Sequence, residues 1–254
     1  MGAEGKKIYF VSDAHLGSRS LEDSRANEKK LVRWLEMVRR DAAAVYLLGD
    51  IFDYWFEYKY VVPKGYVRLL GKLAELADAG IEIHFFVGNH DMWMYDYLPQ
   101  EIGAVIHREP LTVDLLERRF FLGHGDEVGR RKRSYLFLRS LFRNRFCQWL
   151  LASVHPRWSF AFALNWSRNS RKKGLKNEGM GGAEALTEFA VDYAKSHPDI
   201  DYFVFGHCHI LLDEPVSADA RLVITGDWIS YFSYAEWDGM NLTLKQFSDS
   251  EKLL

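Results

Sequence analysis

Five strand-like apolar segments of the sequence each run directly into side chains that commonly bind metal ions. Residues 45–48 are followed by Gly49 and Asp50, which places a carboxylate at the carboxyl edge of a sheet, where an α/β protein presents polar groups. The other four segments lead into Asp13 and His15, into Asn89, His90 and Asp91, into His124 and Asp126, and into His207 and His209. One site could collect all of these groups.

The types of these side chains indicate a catalytic metal site. Aspartate, histidine and asparagine without a shell of thiolates suit Mn²⁺, iron or Zn²⁺, whereas a structural zinc site would normally recruit cysteine. A carboxylate has two oxygens, so Asp50 could bridge two ions roughly 3.5–4 Å apart, as in sites that carry out hydrolytic displacement. Two divalent ions outweigh the charge of two carboxylates and a hydroxide, so the predicted site favours a phosphate anion.

Each motif also has an ordinary structural interpretation. An isolated Asp-x-His occurs by chance, and Gly-Asp after a strand is often only a turn. Adjacent polar groups at a strand end have few structural uses, however, and five of the nine histidines fall in the five motifs. The metal site is the better explanation of the set. The remaining histidines are interpreted as ordinary surface or core residues: His84, His107, His155 and His197.

The segments that must position these groups alternate between strand and helix. Leu31, Trp34, Leu35 and Val38 fall at helical spacing and predict an amphipathic helix over residues 24–40. A second helix is predicted over residues 69–77, and with the strands around both helices the order is βαβαβ. This order is typical of a mostly parallel sheet.

The second half of the chain is less regular. Residues 112–115 and 119–122 predict a hairpin, residues 186–193 a helix and residues 222–225 a strand. Residues 234–247 predict two strands joined by the turn Asp238-Gly239. The expected fold class is α/β with α+β character, consisting of two packed mixed β-sheets flanked by helices.

Composition limits the class of protein. A chain of 254 residues that is 48% hydrophobic can bury a substantial core, so we expect a single domain over residues 1–254 with an insertion. Its two cysteines provide no disulfide framework, which indicates a reducing compartment. The sequence shows no apolar signal segment and no run near the ~20 residues of a membrane-spanning helix. We therefore expect a cytoplasmic protein whose membrane contact is peripheral.

Residues 129–182 differ in composition from the rest of the chain. They hold thirteen Lys and Arg residues, one acid and nine aromatic residues, so their charge is +12 while the whole chain carries −2. Residues 138–150 predict one helix and residues 158–166 a second, unusually apolar one. We interpret this insertion as a helical cap over the sheet edge that supplies positive charge and apolar surface together.

The order of the motifs resembles that of the calcineurin-like metallophosphoesterase family. Its signature consists of Asp-x-His, Gly-Asp-x-x-Asp, Gly-Asn-His-Asp, Gly-His and Gly-His-x-His, and all are present from about residue 8 to residue 237. The resemblance implies a four-layer fold with two central sheets. It also implies that one metal is held by Asp13, His15, Asp50 and His209, and the other by Asp50, Asn89, His124 and His207.

The same resemblance implies roles for four further residues. His90 would lie over the phosphate, where it stabilises the transition state or protonates the leaving oxygen, and Asp91 would orient its ring. Asp53 and Asp126 would hold the metal ligands in place, although either could instead be a turn or helix-cap acid.

Within the family, the chain resembles the branch that hydrolyses UDP-2,3-diacylglucosamine to UMP and 2,3-diacylglucosamine 1-phosphate in lipid A synthesis. The shared features are the chain length, the segments around Asp13 and Asp50, and a helical insertion after His124-Gly125-Asp126 that ends near Asn169-Ser170. The chain departs from the branch at His90, where well-known members have Arg, at Cys208 to Leu211, and at Gly226-Asp227-Trp228.

This resemblance implies the partners of the protein. They would be two divalent ions, most often Mn²⁺ with iron or Zn²⁺ as alternatives, a UDP-linked acylated sugar, and the cytoplasmic face of the inner membrane as a peripheral surface. No nucleic acid is expected, and the oligomeric state is left open. The implied substrate contacts are Asn89, Asn169, Ser170, Lys172, Lys173 and Lys176.

Three alternatives remain open. A nuclease or nucleotide phosphodiesterase of the same fold could stack bases on Trp158 or Trp166 and bind phosphates with residues 171–173. Phe160, Phe162 and Leu164 alternate with small apolar residues and suit acyl chains or membrane better, or they form a small core of the insertion itself. The other two alternatives are a membrane-associated interaction module without activity and a phosphoprotein phosphatase, whose large substrates a long cap would restrict.

Overall fold

The computed structural model describes residues 6–129, 133–174 and 178–248. Within these ranges the chain forms, in order, β1 (Lys7–Val11), α1 (Ser24–Val38), β2 (Ala42–Leu47), α2 (Val67–Asp78), β3 (Glu82–Phe86), α3 (Tyr97–Ile102), β4 (Val105–His107), β5 (Leu111–Leu115) and β6 (Arg118–Leu122). The second half contains α4 (Arg133–Arg143), α5 (Arg145–Ala152), α6 (Pro156–Gly174), α7 (Glu178–Ser196), β7 (Tyr202–Phe205), β8 (Leu211–Pro215), β9 (Arg221–Thr225), β10 (Ser233–Trp237) and β11 (Leu242–Gln246).

The first sheet has six strands in the order β11-β10-β1-β2-β3-β4. Strands β1 to β4 are parallel, as the predicted βαβαβ order requires, and β10 and β11 add an antiparallel edge through the predicted turn at Asp238-Gly239. The carboxyl ends of β1, β2 and β3 therefore lie side by side, each followed by one of the ligand motifs.

The second sheet has five strands in the order β5-β6-β7-β9-β8. The predicted hairpin is β5 and β6, while β6, β7 and β9 are parallel to one another. Strand β8 pairs antiparallel with β9 at the sheet edge and was not predicted, because its residues are half-buried or exposed and lack a strong apolar pattern. The ends of β6 and β7 carry the His124 and His207 motifs.

The two sheets pack face to face with helices outside them. Alternate residues of β1 show the arrangement: Ile8 and Phe10 belong to the cluster between the sheets, and Tyr9 and Val11 to the cluster beneath α1 and α2. A third cluster lies between the second sheet and α7. The indole Nε1 of Trp237 donates a hydrogen bond to the carbonyl of Leu115 and joins the two sheets. Four layers result, as predicted.

The helices follow the predicted pattern with local differences. Helix α1 begins after Asp23, whose carboxylate accepts hydrogen bonds from the amides of Arg25 and Ala26, and it ends two residues before the predicted limit. The prediction of one helix over residues 138–150 is wrong. The chain forms α4 and α5 there, because the Asn144 side chain accepts hydrogen bonds from the next turn and starts a new helix.

The insertion packs against the main core through one set of its apolar residues. Phe142, Leu151, Phe160, Ala163 and Leu164 are partly buried against the cluster beneath α1 and α2. They therefore do not form a small core separate from the domain. Phe162 is different, because it is 65% exposed. None of the helices in the described ranges is both long and apolar enough to cross a membrane.

Candidate metal centre

The ligand motifs meet where the loops after β1 and β2 are joined by backbone hydrogen bonds. The amide of Asp13 donates to the carbonyl of Gly49 at 3.1 Å, and the amide of His15 donates to the carbonyl of Asp50 at 2.9 Å. The amide of His90, after β3, donates to Oδ1 of Asp50 at 2.8 Å. These hydrogen bonds thus fix two of the other four motifs relative to the Asp50 motif.

One group of candidate ligands consists of Asp13, His15 and His209. The Nε2 atoms of the two histidines lie 3.2 Å apart, and Oδ1 of Asp13 lies 3.7 Å from Nε2 of His15 and 3.5 Å from Nε2 of His209. Oδ2 of Asp50 lies 3.7 Å from Nε2 of His15. This placement brings together the four residues that the family resemblance assigned to one metal.

The second group consists of Asp50, His124 and His207, whose ligand atoms lie within 4.8 Å of one another. Nε2 of His124 is 3.4 Å from Oδ2 of Asp50, the same oxygen that faces His15. Asp50 therefore lies between the two groups, in the position of a bridging carboxylate. Asn89 follows Gly88 directly at the end of β3, and its Oδ1 atom is buried.

Hydrogen bonds around the site fix which nitrogen of each ring could bind a cation. Nδ1 of His124 is 2.8 Å from the carbonyl oxygen of Leu48, and because a carbonyl only accepts, Nδ1 carries the hydrogen. In the neutral ring, Nε2 then presents its lone pair toward Asp50. Nδ1 of His209 likewise faces a carboxylate, Oδ2 of Asp227, at 3.3 Å. Its Nε2 is therefore available to the first group.

Several buried atoms of the site have no hydrogen-bond partner in the part of the chain that the structure describes. These atoms are Oδ1 of Asp13, Oδ1 of Asn89 and Nε2 of His124. An unsatisfied buried polar atom costs about 1–3 kcal/mol, so three of them in one place indicate a missing partner. All three are electron-pair donors, and together with the facing imidazoles they fit divalent cations.

The backbone at the site adopts an unusual conformation. Five of the candidate ligands have positive φ angles between 43° and 67°, namely Asp13, His15, Asp50, His207 and His209. Non-glycine residues rarely adopt this left-handed conformation, which costs about 1–3 kcal/mol per residue and concentrates at functional sites. The sharp reversals turn each side chain from the end of its strand into the common centre.

The carboxylates and imidazoles shift one another's pKa in opposite directions. Burial tends to raise the pKa of Asp13, but the charges of His209 and His124 and the contact with His15 together outweigh burial and lower the pKa to about 2. Burial also tends to raise the pKa of Asp50. The charges of the neighbouring histidines, that of His124 foremost, outweigh this effect and hold the pKa well below its usual value. Burial tends to lower the pKa values of His124 and His209. Nearby carboxylates raise both pKa values nevertheless, with Asp50 contributing most at His124 and Asp13 contributing most at His209. The site strongly favours cations.

His90 faces Asp53, and Asp91 does not contact its ring. Nδ1 of His90 lies 3.1 Å from the carbonyl oxygen of Asp53 and 3.7 Å from Oδ1 of the same residue. The prediction that Asp91 orients His90 is therefore wrong. The buried carboxylate of Asp91 instead accepts hydrogen bonds from backbone amides at 2.8–3.2 Å, those of Gly88, Asp50, Ile51 and Phe52. Asp91 thus stabilises the loop that carries Asp50.

Asp53 and Asp126 lie behind the candidate ligands. Oδ1 of Asp53 is 3.5 Å from Nδ1 of His15, and it accepts a hydrogen bond from the Ser167 hydroxyl at 2.9 Å. Oδ2 of Asp126 is 3.2 Å from Nε of Arg139. Burial raises the pKa of Asp126, but the charges of His124, His207 and Arg139, together with a hydrogen bond to Glu127, outweigh burial and lower the pKa to about 2. Asp53 thus faces the ring of a candidate ligand, whereas Asp126 contacts Arg139 and acts on His124 through its charge.

The implied substrate contacts of the insertion lie on and after α6. Asn169, Ser170, Lys172 and Lys173 belong to the backbone of this helix, and their side chains are outside the described part of the structure. Lys176 lies outside the described residues altogether. The structure places α6 beside the site, because Ser159 and Ser167 on this helix hydrogen-bond to Tyr58 and Asp53.

Three residues near the site were missed by the sequence analysis. Asp227 contacts His209, and Ser167 contacts Asp53. The carboxylate of Glu127 accepts hydrogen bonds from the amides of His124 and Gly125 at 3.1 and 2.9 Å. Asp227 and Glu127 directly follow a strand end and a ligand motif, which was an available signal. Ser167 had none, because its role depends on how α6 packs.

Comparison with known families agrees with this geometry. The sequence pattern of the calcineurin-like phosphoesterases matches residues 6–211, which include every candidate metal ligand. The chain belongs to the calcineurin-like phosphoesterase family. The predicted family, fold class and enzyme class are thereby confirmed, and the family implies divalent metal ions for the donor groups described above.

Individual relatives indicate which branch of the family the chain is most similar to. The chain is 48% identical over 259 aligned residues to a UDP-2,3-diacylglucosamine hydrolase of Porphyromonas gingivalis, and the match covers 96% of this chain and 99% of the relative. It is 26% identical to the protein of the same name from Pseudomonas aeruginosa, covering 87% and 90% of the two chains. Among solved structures, the phosphoesterase Yfce from E. coli matches at 17% identity and a TM-score of 0.48, covering 98% and 97%. The first two relatives are named for the activity that the sequence predicted.

Proposed function

We propose that this protein hydrolyses the pyrophosphate bond of UDP-2,3-diacylglucosamine and releases UMP and 2,3-diacylglucosamine 1-phosphate. The observation that carries the proposal is the 48% identity to a UDP-2,3-diacylglucosamine hydrolase over nearly the whole length of both chains. The donor groups around Asp50 support it, because two groups of ligands that share one carboxylate could hold two cations, and two cations would suit a diphosphate. The protein would act in lipid A synthesis, as the resemblance implies.

In this proposal, Asp13, His15 and His209 hold one ion, and His124, His207 and Asn89 hold the other, with Asp50 between them. When bound, the two ions supply a nucleophilic hydroxide at neutral pH and stabilise the charge on the phosphate oxygens. The residues of the chain orient the ligands through Leu48, Asp53 and Asp227, which fix the imidazole rings.

His90 would act on the leaving group. Its Nδ1 atom donates to the carbonyl of Asp53, so Nε2 is the atom that can reach a ligand, and its side chain is 20% exposed toward solvent. The hydroxide of one water molecule would form a bond to one phosphorus, and the bond from that phosphorus to the bridging oxygen would break. The leaving oxygen would accept a proton, and the proton lost by the water would pass to solvent. We assign that proton to Nε2 of the protonated imidazole.

Mn²⁺ is the metal that we propose for the site. The donors are carboxylate, amide and imidazole groups, which suit Mn²⁺, and no thiolate belongs to the candidate groups found in the described residues. Equilibrium dialysis of the metal-free protein against Mn²⁺, Fe²⁺ and Zn²⁺, followed by assays of each loaded form, tests this choice. Activity confined to the zinc form would contradict it.

Residues 129–182 would form the cap that binds the substrate. Its helices reach the main domain near the site: Nε1 of Trp93 donates to the carbonyl of Phe142 at 3.1 Å, and the rings of Tyr54 and Phe160 are 4.7 Å apart. A basic and aromatic cap suits this substrate, because a diphosphate needs cations and acyl chains need apolar walls. Asn169, Ser170, Lys172, Lys173 and Lys176 are the proposed contacts, with Asn89.

We also propose that the cap binds the cytoplasmic face of the inner membrane. Four aromatic side chains on α5 and α6 are 63–65% exposed, those of Phe146, Trp149, Trp158 and Phe162. Arg145 and Arg157 lie on the same helices, and basic residues near an anionic membrane contribute about 1 kcal/mol each. Flotation with anionic vesicles should show binding that added salt weakens. Replacement of Trp158 and Phe162 by Ser should abolish binding, whereas replacement of Met240, which lies outside the cap and is 81% exposed, should not.

Product analysis tests the central proposal. UDP-2,3-diacylglucosamine is incubated with the protein and Mn²⁺, after chelation, and with Asp50→Asn, and the products are identified by mass spectrometry. We expect UMP and the acylated sugar phosphate with the first sample and intact substrate with the others. If this substrate stays intact while a generic phosphodiester or a nucleic acid is cleaved, the metal chemistry stands and the substrate assignment is wrong.

A further inference from the structure

A serine of the cap contacts a buried carboxylate behind the metal centre. The hydroxyl of Ser167, on α6, donates a hydrogen bond to Oδ1 of Asp53 at 2.9 Å. Both residues are almost completely buried, with 3% and 2% of their surfaces exposed. A hydrogen bond of a hydroxyl to a buried carboxylate is stronger than a neutral one, and its geometry is well defined. This contact therefore fixes α6 relative to the loop after β2.

The same oxygen of Asp53 faces two histidines of the site. Oδ1 lies 3.5 Å from Nδ1 of His15 and 3.7 Å from Nδ1 of His90. The rings of His15 and His90 are perpendicular, with centroids 4.7 Å apart. Asp53 thus contacts one candidate metal ligand and the proposed proton donor at once. The orientation of its carboxylate influences both rings.

The carboxylate of Asp53 can orient the two histidine rings only if its own side chain is held in one rotamer. Partners of ligating histidines set the tautomer and the orientation of the ring, and their loss typically reduces metal affinity or activity by about 10- to 100-fold. The Ser167 hydroxyl supplies Oδ1 of Asp53 with a donor from outside the loop. That donor belongs to the cap, so a change in the position of α6 would change the orientation of Asp53 at the metal centre.

We propose that Ser167 is a positioning residue, which holds Asp53 in the orientation that aligns His15 for metal binding and His90 for proton transfer. Its effect extends to both rings through one oxygen atom. The cap would then do more than bind substrate, because a displacement of α6 would change the alignment of the catalytic groups. This inference rests on the proposed function for its kinetic part only.

Ser159 provides a matched control on the same helix. It is also buried, and its hydroxyl lies beside that of Tyr58 on the main domain, as Ser167 lies beside Asp53. The ring of Tyr58 packs against that of Phe56, which is not a candidate ligand, with centroids 4.7 Å apart. Ser159→Ala and Ser167→Ala therefore each remove one buried hydroxyl contact between α6 and the domain, but only Ser167→Ala removes a contact with a carboxylate that faces the site.

The experiment measures Mn²⁺ binding by calorimetry and the kinetics of UDP-2,3-diacylglucosamine hydrolysis for both variants. We expect Ser167→Ala to weaken one Mn²⁺ site and to lower kcat by about tenfold with little change in KM, at the lower end of the effect of such partners. Ser159→Ala should leave both quantities within about twofold of the wild type, the range expected for unconnected sites. Ser167→Thr retains the hydroxyl and should restore kcat.

A double-mutant cycle with Asp53→Asn decides the route of the effect. If Ser167 acts through Asp53, adding Ser167→Ala to Asp53→Asn should change Mn²⁺ affinity by less than about twofold. Additive losses, a Ser167→Ala phenotype equal to that of Ser159→Ala, or a change in KM alone would overturn the proposal. The binding measurements need no substrate, so a protein inactive on UDP-2,3-diacylglucosamine would refute the proposed function and still test Ser167.

Discussion

Nδ1 of His209 and Oδ2 of Asp227 lie 3.3 Å apart, at a point where two distant loops approach the metal centre. The other oxygen of Asp227 accepts hydrogen bonds from three successive backbone amides at 2.7–3.0 Å, those of Ile229, Ser230 and Tyr231. The carboxylate is therefore held rigidly on one side and presents a fixed acceptor on the other. Asp227 thus determines which nitrogen of His209 faces Asp13.

Replacement of Asp227 by Asn should weaken metal binding at the group formed by Asp13, His15 and His209. The amide can no longer accept from Nδ1 on that side, so the ring loses its fixed tautomer, and we expect about a 10- to 100-fold loss of affinity. Calorimetric titration of the chelated protein with Mn²⁺ measures this loss. Asp238→Asn is the control, because Asp238 also caps a turn, at Met240 and Asn241, but lies outside the site. Equal affinities in both variants would contradict the prediction.

The candidate metal ligands could be predicted from the sequence, but the residues that orient these ligands could not. Asp13, Asp50 and His124 each follow an apolar strand, which is a local pattern that can be identified without a structure. The contact between Ser167 and Asp53 joins residues 114 positions apart, and no periodicity relates them. The role of Asp91 could not be predicted from the sequence either. Its position beside His90 suggested a contact with that ring, whereas its carboxylate accepts hydrogen bonds from backbone amides.

Gly88 should be intolerant of any side chain. A Cβ atom at this position would lie 2.6 Å from the backbone nitrogen of Asp50 and would also meet its carboxylate. We expect Gly88→Ala to displace Asp50, to destabilise the protein by about 1–3 kcal/mol and to reduce Mn²⁺ binding. Thermal unfolding with and without Mn²⁺ measures both effects.

The control for that change is Gly71→Ala on α2. A Cβ atom there meets nothing within 4 Å, and alanine in a helix is more stable than glycine by about 0.5–1 kcal/mol. Gly71→Ala should therefore raise the melting temperature and leave Mn²⁺ binding unchanged. If Gly88→Ala bound Mn²⁺ as well as Gly71→Ala did, the close packing of Gly88, in the loop after β3, against Asp50 would not be what positions this ligand.

His90→Ala should separate catalysis from metal binding. His90 belongs to neither of the two groups around Asp50, although the structure also places it with His15 and Asp53 in a third group of possible ligands. In the proposed function it acts as a proton donor and not as a ligand. We therefore expect Mn²⁺ affinity to be retained, while loss of a proton donor should lower kcat by about 10²- to 10⁴-fold. His197→Ala is the control, since His197 stacks on Tyr193 at the end of α7. Equal kcat values for the two variants would show that His90 does not take part in the reaction.

Metal binding should release protons and strengthen as the pH rises. Burial lowers the pKa values of His124 and His209, but neighbouring carboxylates, those of Asp50, Asp13 and Asp227 among them, together outweigh burial and raise both pKa values in the metal-free protein. At a given pH, more of each ring is therefore protonated than in an unperturbed histidine. A metal ion binds the neutral ring, and each proton must leave first.

The raised pKa values favour the metal-free fold below about pH 6.5, an advantage that is lost as the pH rises through them. The stabilisation by Mn²⁺ should therefore increase from about pH 6 to about pH 8. Calorimetry in buffers of different ionisation enthalpy counts the protons released, and a count of zero would contradict the assignment of His124 and His209 as ligands.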